Sequence, residues 1–192
     1  MSPLNLPFRL ILASNSPRRQ NLLGNIGVDF EVYVRVVDES FPDDIDALDV
    51  APYLAALKGE AYNDYLTNDM LIITADTTVV VGNEVINKPE NESEAIKMLE
   101  FLSGKKHTVV TGVHLNSKSK SKTFAVKTDV YFKKLERMEI EYYVQHFKPF
   151  DKAGSYGIQE WLGYIGVERI DGCFFNVMGL PLHKVYEELR TF

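Results

Sequence analysis

Ser14-Asn15-Ser16-Pro17-Arg18-Arg19 is the first stretch of this 192-residue chain with residue types that could do chemistry. Ser and Asn side chains bond to backbone and favour turns and helix N-caps, and proline is well placed at the first helical position. Free N–H groups, a positive helix end and two guanidinium forks make a phosphate receptor. An ordinary strand-turn-helix unit with solvated arginines fits the same spacing, and no glycine-rich phosphate motif is present. The second candidate is Asp76, the one charge inside the apolar, β-branched run Met70–Val81. A carboxylate suits a strand poorly and is costly to bury unpaired, so it calls for a metal, a cation or a catalytic task. A strand break is the weaker account, because Thr77–Val81 resume the pattern.

Two sets of groups fall at loop and strand ends: the cations Arg18, Arg19, Lys58, Lys88 and Lys152, and the carboxylates Asp38, Glu39 and Asp76. Mg²⁺ prefers a few carboxylates plus substrate phosphates and water. A cleft gathering both sets suits hydrolysis of a phosphoanhydride, with a carboxylate acting on the attacking water. Lys58 alone reads as a solvated helix lysine. His107, His114, His146 and His183 lack paired metal spacing and read as structural.

The elements that must position these residues follow from pattern. Leu10–Ala13 is a short buried strand, and the helix from Pro17 places Leu22 and Leu23 inward and ends near Gly24. Asp29–Val37 alternates as a strand before the acidic loop Asp38–Asp44. The next helix aligns Val50, Leu54, Leu57, Ala61 and Tyr65. After Met70–Val81, Gly82-Asn83 predicts a hairpin with return strand Glu84–Asn87. Asn91–Ser103 is a helix with acidic first turn, closed by Gly104. His107–Leu115 and Thr123–Phe132 are strands around the polar tip Asn116–Lys122. Leu135–Phe147 is a helix with Ile140, Tyr143, Val144 and Phe147 inward. Asp151–Gln159 is a small, glycine-rich loop, and Trp161–Val167 a turn with aromatic packing. Cys173–Val177 reads as a buried strand with Cys173 in the core, and Gly179-Leu180-Pro181 opens a last helix to Arg190. Strands alternate with helices and also form hairpins, so the class is α/β with a mixed sheet.

Composition bounds the rest. With 45% hydrophobic and 25% charged residues, the chain can build a proper core. No linker or repeat divides it, which predicts one domain over 1–192. Net charge −6 disfavours nucleic acid and membrane surfaces as partners. The single cysteine, Cys173, excludes an internal disulfide and a cysteine zinc site. Without a signal peptide or a spanning apolar run, the expected location is cytoplasmic.

Taken in order, several segments resemble the Maf-like nucleotide pyrophosphatases over nearly the whole chain. They are Ala13–Arg19, Val37-Asp38-Glu39, Ala75-Asp76-Thr77, Lys88-Pro89, Leu102-Ser103-Gly104 with His107, Thr111-Gly112, Asp151–Gln159, and Asn176-Val177 before Gly179-Leu180-Pro181. The resemblance implies a mixed, twisted sheet flanked by helices, with two lobes around a central cleft, as in inosine triphosphatases. It implies hydrolysis of nucleoside triphosphates to monophosphate and pyrophosphate with a divalent cation, Mg²⁺ or Mn²⁺. It also implies a house-cleaning role against non-standard nucleotides, and homodimers are common in the family.

Carried over by position, Asp76 matches the proton acceptor and a metal-side carboxylate, and Glu39 a second metal-side residue. Arg19, Lys58, Lys88 and Lys152 match basic residues near the phosphates, with Ser14 also at the substrate. Arg18, Thr77 and Gln159 match positions that separate substrate branches, and read as in the dTTP and UTP branch. The 7-methyl-GTP branch carries Trp, Gln and Glu there. Two positions depart from the family pattern: Asn87 for Gly before Lys88, and Gly59 for Ala after Lys58. The alternatives are a pyrophosphatase for another modified base, such as 7-methyl-GTP, and a non-catalytic nucleotide-binding regulator of cell division.

Overall fold

The computed structural model describes residue 4 and residues 6–192. Among these, seven strands form one mixed sheet in the order β2-β1-β3-β5-β6-β7, with β4 beside β3. The central strand β3 (Met70–Val81) runs antiparallel to β5 (Lys106–Ser117) along most of its length. Its other edge is shared. β1 (Arg9–Leu12) pairs in parallel with residues 70–73, and β4 (Glu84–Ile86) pairs antiparallel with residues 79–81. Residues 74–78 therefore have a strand partner on one side only. Asp76 sits in that gap, where two neighbouring elements part.

Side chains alternate across a strand, so β3 builds on both faces. Leu71, Ile73 and Ala75 join a core with Leu22 and Leu23 of α1 (Pro17–Asn25) and Val185 and Leu189 of α7 (Leu182–Thr191). Val79 lies further along the same face, in a second core with Leu99 of α3 (Glu92–Leu102), Tyr143 of α4 (Arg137–Phe147) and Leu162 of α5 (Trp161–Gly166). These cores are the two lobes. Thr77, between Ala75 and Val79, belongs to neither. The opposite face packs on α2 (Val50–Glu60), where the Thr74 hydroxyl donates to Ala55 O at 2.6 Å.

Gly112 in β5 is the register partner of Asp76. A Cβ there would lie 2.4 Å from Ala51 O and from the Pro52 backbone, so glycine is what allows α2 to lie this close. Gly59 has a similar reason: a Cβ would meet the His114 ring at 2.2 Å, which accounts for glycine after Lys58.

Several expectations are corrected. Cys173–Val177 is not a strand; Phe174–Met178 is a short helix, α6, with Cys173 only half-buried. Phe174 and Phe175 are both exposed while Asn176 is fully buried, a pattern strand alternation does not give. Asp29–Val37 contains only the two-residue strand β2 (Glu31–Val32), because its partner β1 ends at Leu12 and offers no further edge. Trp161–Val167 is helix α5 leading into an additional edge strand, β7 (Val167–Asp171). The first helix passes Gly24 to Asn25, and the second stops at Glu60, short of Ala61 and Tyr65. Phe147 is exposed rather than inward. The 82–83 hairpin stands, and strands β5 and β6 (Ser121–Phe132) extend into the expected polar tip. No helix among the described residues is long and apolar enough to cross a membrane.

Gly112→Ala should destabilise the fold by about 1–3 kcal/mol through overpacking. Because α2 carries Lys58, activity should fall too; urea unfolding and turnover of the same preparation check both.

Candidate active site

A cleft of about 420 Å³ opens where β1 and β4 part, and its volume is that of a small-molecule site. Ser14, Arg18, Arg19, Glu39, Lys58, Asp76, Thr77, Lys88, Lys152 and Gln159 all line it. Asp38 does not; its carboxylate accepts from the Ser40 N–H at 3.1 Å.

The turn after β1 is built as its residue types suggest. Ser16 caps α1, its hydroxyl accepting from the Arg19 N–H, with Pro17 in the first turn. Arg19 then runs inward and is half-buried at the wall of the cleft. Its Nε donates to Gly179 O at 2.8 Å, Nη2 to Thr77 Oγ1 at 3.0 Å and Nη1 to Ser14 Oγ at 3.5 Å. Burial pushes its pKa down from the usual arginine value, partly opposed by Asp76 and Glu39. It remains a cation.

On the other face of β3, Lys58 is not solvated. Its ammonium lies 2.7 Å from Asp76 Oδ1 and 2.9 Å from Glu39 Oε2. The two largely buried charges, Lys58 and Asp76, are thereby paired, and the exposed Glu39 joins them. Both carboxylates converge on the Lys58 ammonium, and their chemistry fits a Mg²⁺-type donor set of one or two carboxylates completed by phosphate oxygens and water. Among the described residues there is no group of three or more His, Cys, Asp or Glu that could hold a metal.

The second lobe contributes the 151–159 loop. Asp151 takes Arg18 Nη1 at 2.7 Å from across the cleft and Lys152 Nζ at 2.7 Å. Burial pushes the Asp151 carboxyl up, but the Lys152 and Arg18 hydrogen bonds outweigh it and leave it below the usual value. Lys152 also reaches Glu160 at 3.1 Å, and Tyr143 donates to that same carboxylate. Asn87 O accepts from the Gly154 N–H at 3.1 Å, tying the segment before Lys88 to this loop. Lys88 itself is exposed and has no ionic partner among the described residues. Gln159 brings a buried amide oxygen without a hydrogen-bond partner to the cleft.

Sequence reasoning missed several supporting groups: Glu160, Arg35, the Thr111 hydroxyl and the carbonyls of Asn176 and Gly179. A polar Asn176 beside two phenylalanines was the one available signal, since an asparagine buried there must be satisfied. Tyr156 also lines the cleft, its hydroxyl 2.7 Å from His107 Nε2.

The match to a family model settles the class. Residues 9–192 fit the model for Maf-like proteins, and the chain belongs to that family. A protein of Parabacteroides distasonis named dTTP/UTP pyrophosphatase is 52% identical over 186 residues, covering 96% of each chain. One of the same name from Bacteroides fragilis is 48% identical over 184 residues, covering 95% of each. The fold resembles the Ham1 protein of Staphylococcus aureus, with a TM-score of 0.53 at 17% identity over 94% of this chain and 99% of that one.

Burial holds His107 neutral by pushing its pKa down to about 4, against a weaker upward pull from Asp129. The unfolded chain, near 6.5, binds the proton first. This group therefore leaves stability intact above pH ~6.5 and lowers it by about 2–3 kcal/mol as pH falls towards 4.5. Melting of the wild type across that window, against His107→Gln with a shallower slope, is the check.

Proposed function

We propose that the chain is a nucleoside triphosphate pyrophosphatase that hydrolyses dTTP and UTP to the monophosphate and pyrophosphate. The observation that carries this is the convergence, in one cleft, of six cations and three carboxylates at the gap in β3. The names of relatives at about half identity over nearly full length support the same reading.

Arg19, Lys58, Lys88 and Lys152 bind the triphosphate, where charge-assisted bonds are strong because the site is confined. Asp76 takes the proton of the attacking water; it is fixed for this by the Lys58 ammonium. Asp76 and Glu39 would hold a divalent cation, Mg²⁺ or Mn²⁺, which would supply charge neutralisation at the phosphate oxygens. Ser14 adds a hydroxyl beside Arg19. Arg18, Thr77 and Gln159 shape the base pocket, and the unpartnered Gln159 oxygen suits the N–H of a pyrimidine edge.

One sheet running from residue 9 to residue 171 supports a single domain over 1–192. Net charge −6 supports partners other than nucleic acid and membrane surfaces, and a cytoplasmic setting is carried from the sequence reading. A homodimer and a house-cleaning role are carried from the family resemblance.

The test is a panel of nucleotides with Mg²⁺ or Mn²⁺, read by pyrophosphate release. dTTP and UTP should lead GTP, ATP and 7-methyl-GTP, and Asp76→Asn should lower turnover by roughly 10²-fold or more while nucleotide binding persists. Preference for 7-methyl-GTP would move the chain to another branch, and near-normal turnover of the variant would remove Asp76 as the base.

Gln159→Glu replaces a group that donates and accepts by one that only accepts. It should cost dTTP and UTP more than purine nucleotides, measured as the ratio of their kcat/KM values.

A further inference from the structure

We propose that Thr111 is a positioning residue for Arg19, acting through the direction of a short hydrogen-bond chain. Thr111 in β5 is the register partner of Thr77 in β3, and their hydroxyl oxygens are 3.0 Å apart. Thr111 Oγ1 also lies 2.9 Å from Asn176 O. A carbonyl only accepts, so the Thr111 proton is committed to Asn176. The Thr111 oxygen must then accept from Thr77. With its own proton spent, the Thr77 oxygen is left to accept from Arg19 Nη2 at 3.0 Å. Every step of the chain has one direction.

Its far end is rigid. The Asn176 amide donates to Val109 O at 3.1 Å and to Thr128 Oγ1 at 2.9 Å, and the residue is fully buried. Gly179, three residues on, accepts Arg19 Nε at 2.8 Å. Helix α6 and its C-terminal glycine thus hold the guanidinium twice, once directly and once through two threonines. Guanidinium has five N–H donors. Bonds to Gly179, Thr77 and Ser14 occupy three and leave one on each terminal nitrogen, the pair suited to two oxygens of one phosphate. Without the Thr111 hydroxyl, the Thr77 proton has no fixed acceptor, the lone pair offered to Arg19 Nη2 is no longer held in one direction, and the fork loses its fixed orientation. Thr111 is fully buried and does not line the cleft, so its effect on a ligand passes through Thr77 and Arg19.

This inference rests on the reading that Arg19 binds the triphosphate. The experiment compares Thr111→Val, which removes the hydroxyl at near-constant shape, with Thr111→Ser, which keeps it. Calorimetry measures inorganic pyrophosphate and UMP binding to each full-length variant. Pyrophosphate affinity should fall about tenfold in the Val variant, since the Arg19–Thr77 bond loses its fixed direction and with it the fork's alignment on phosphate, while UMP affinity stays within about twofold. Turnover of UTP should fall in parallel, and the Ser variant should match wild type in all three. If Thr111→Val does not fold, Thr111→Cys, with its weak S–H donor, takes its place and should give a smaller loss of the same kind. Unchanged pyrophosphate affinity in the folded variant overturns the inference, as does an equal fall for pyrophosphate and UMP. If wild type holds pyrophosphate no less firmly once Arg19 is replaced by Ala, the reading of Arg19 fails, and the inference with it.

Discussion

The ion pair of Lys58 with Asp76 is the interaction on which the site depends. A carboxylate in the central strand would be expensive to bury, and an ammonium on a packed helix equally so. Each makes the other tolerable, and Glu39 completes the group from the loop beyond β2. The pair is possible only because α2 lies close against the sheet at Gly112, directly beside Asp76 in register. It is accessible to a ligand only because β1 and β4 leave residues 74–78 uncovered on one edge.

The same gap organises the opposite face. Two apolar cores share the sheet there without merging, and the space between them holds Arg19, Thr77, Thr111 and Asn176. A guanidinium set into an apolar core would be strongly unfavourable; half-buried between two cores, Arg19 meets a hydroxyl and a carbonyl. The strand alternation that sends Asp76 to α2 sends Thr77 to this belt, so two adjacent residues serve both halves of the cleft. Asp151 bridges the lobes by pairing with Arg18 across the opening.

Much of the site was legible from residue type. Pro17 after a serine cap, an aspartate inside a β-branched run and basic residues beside small ones are local signals, and ten of the eleven charged and polar residues they and the family resemblance singled out reach the cleft, Asp38 being the exception. Partners were not legible in the same way. Lys58 on a helix has the same sequence appearance whether solvated or paired, and its 17% exposed side chain is set by contacts 18 residues away. The support given to Arg19 by α6 was hidden because a five-residue apolar run has no period that separates strand from helix. Read as a strand, Cys173–Val177 would have left Asn176 without a task.

The sequence by itself determined the element order from β3 through α4, the capped turn at the start of α1, the mixed α/β class and the charged groups available for phosphate chemistry. These depend on neighbours within a few residues, where propensity and periodicity act. Tertiary structure alone decided that β1 and β4 share one edge of β3 and leave a gap, that α2 lies close enough for Lys58 to reach Asp76, and that α6 is a helix gripping Arg19. Those outcomes come from pairing and burial between segments far apart in the chain, where the free energy of a charge or a short apolar run is set by what packs against it.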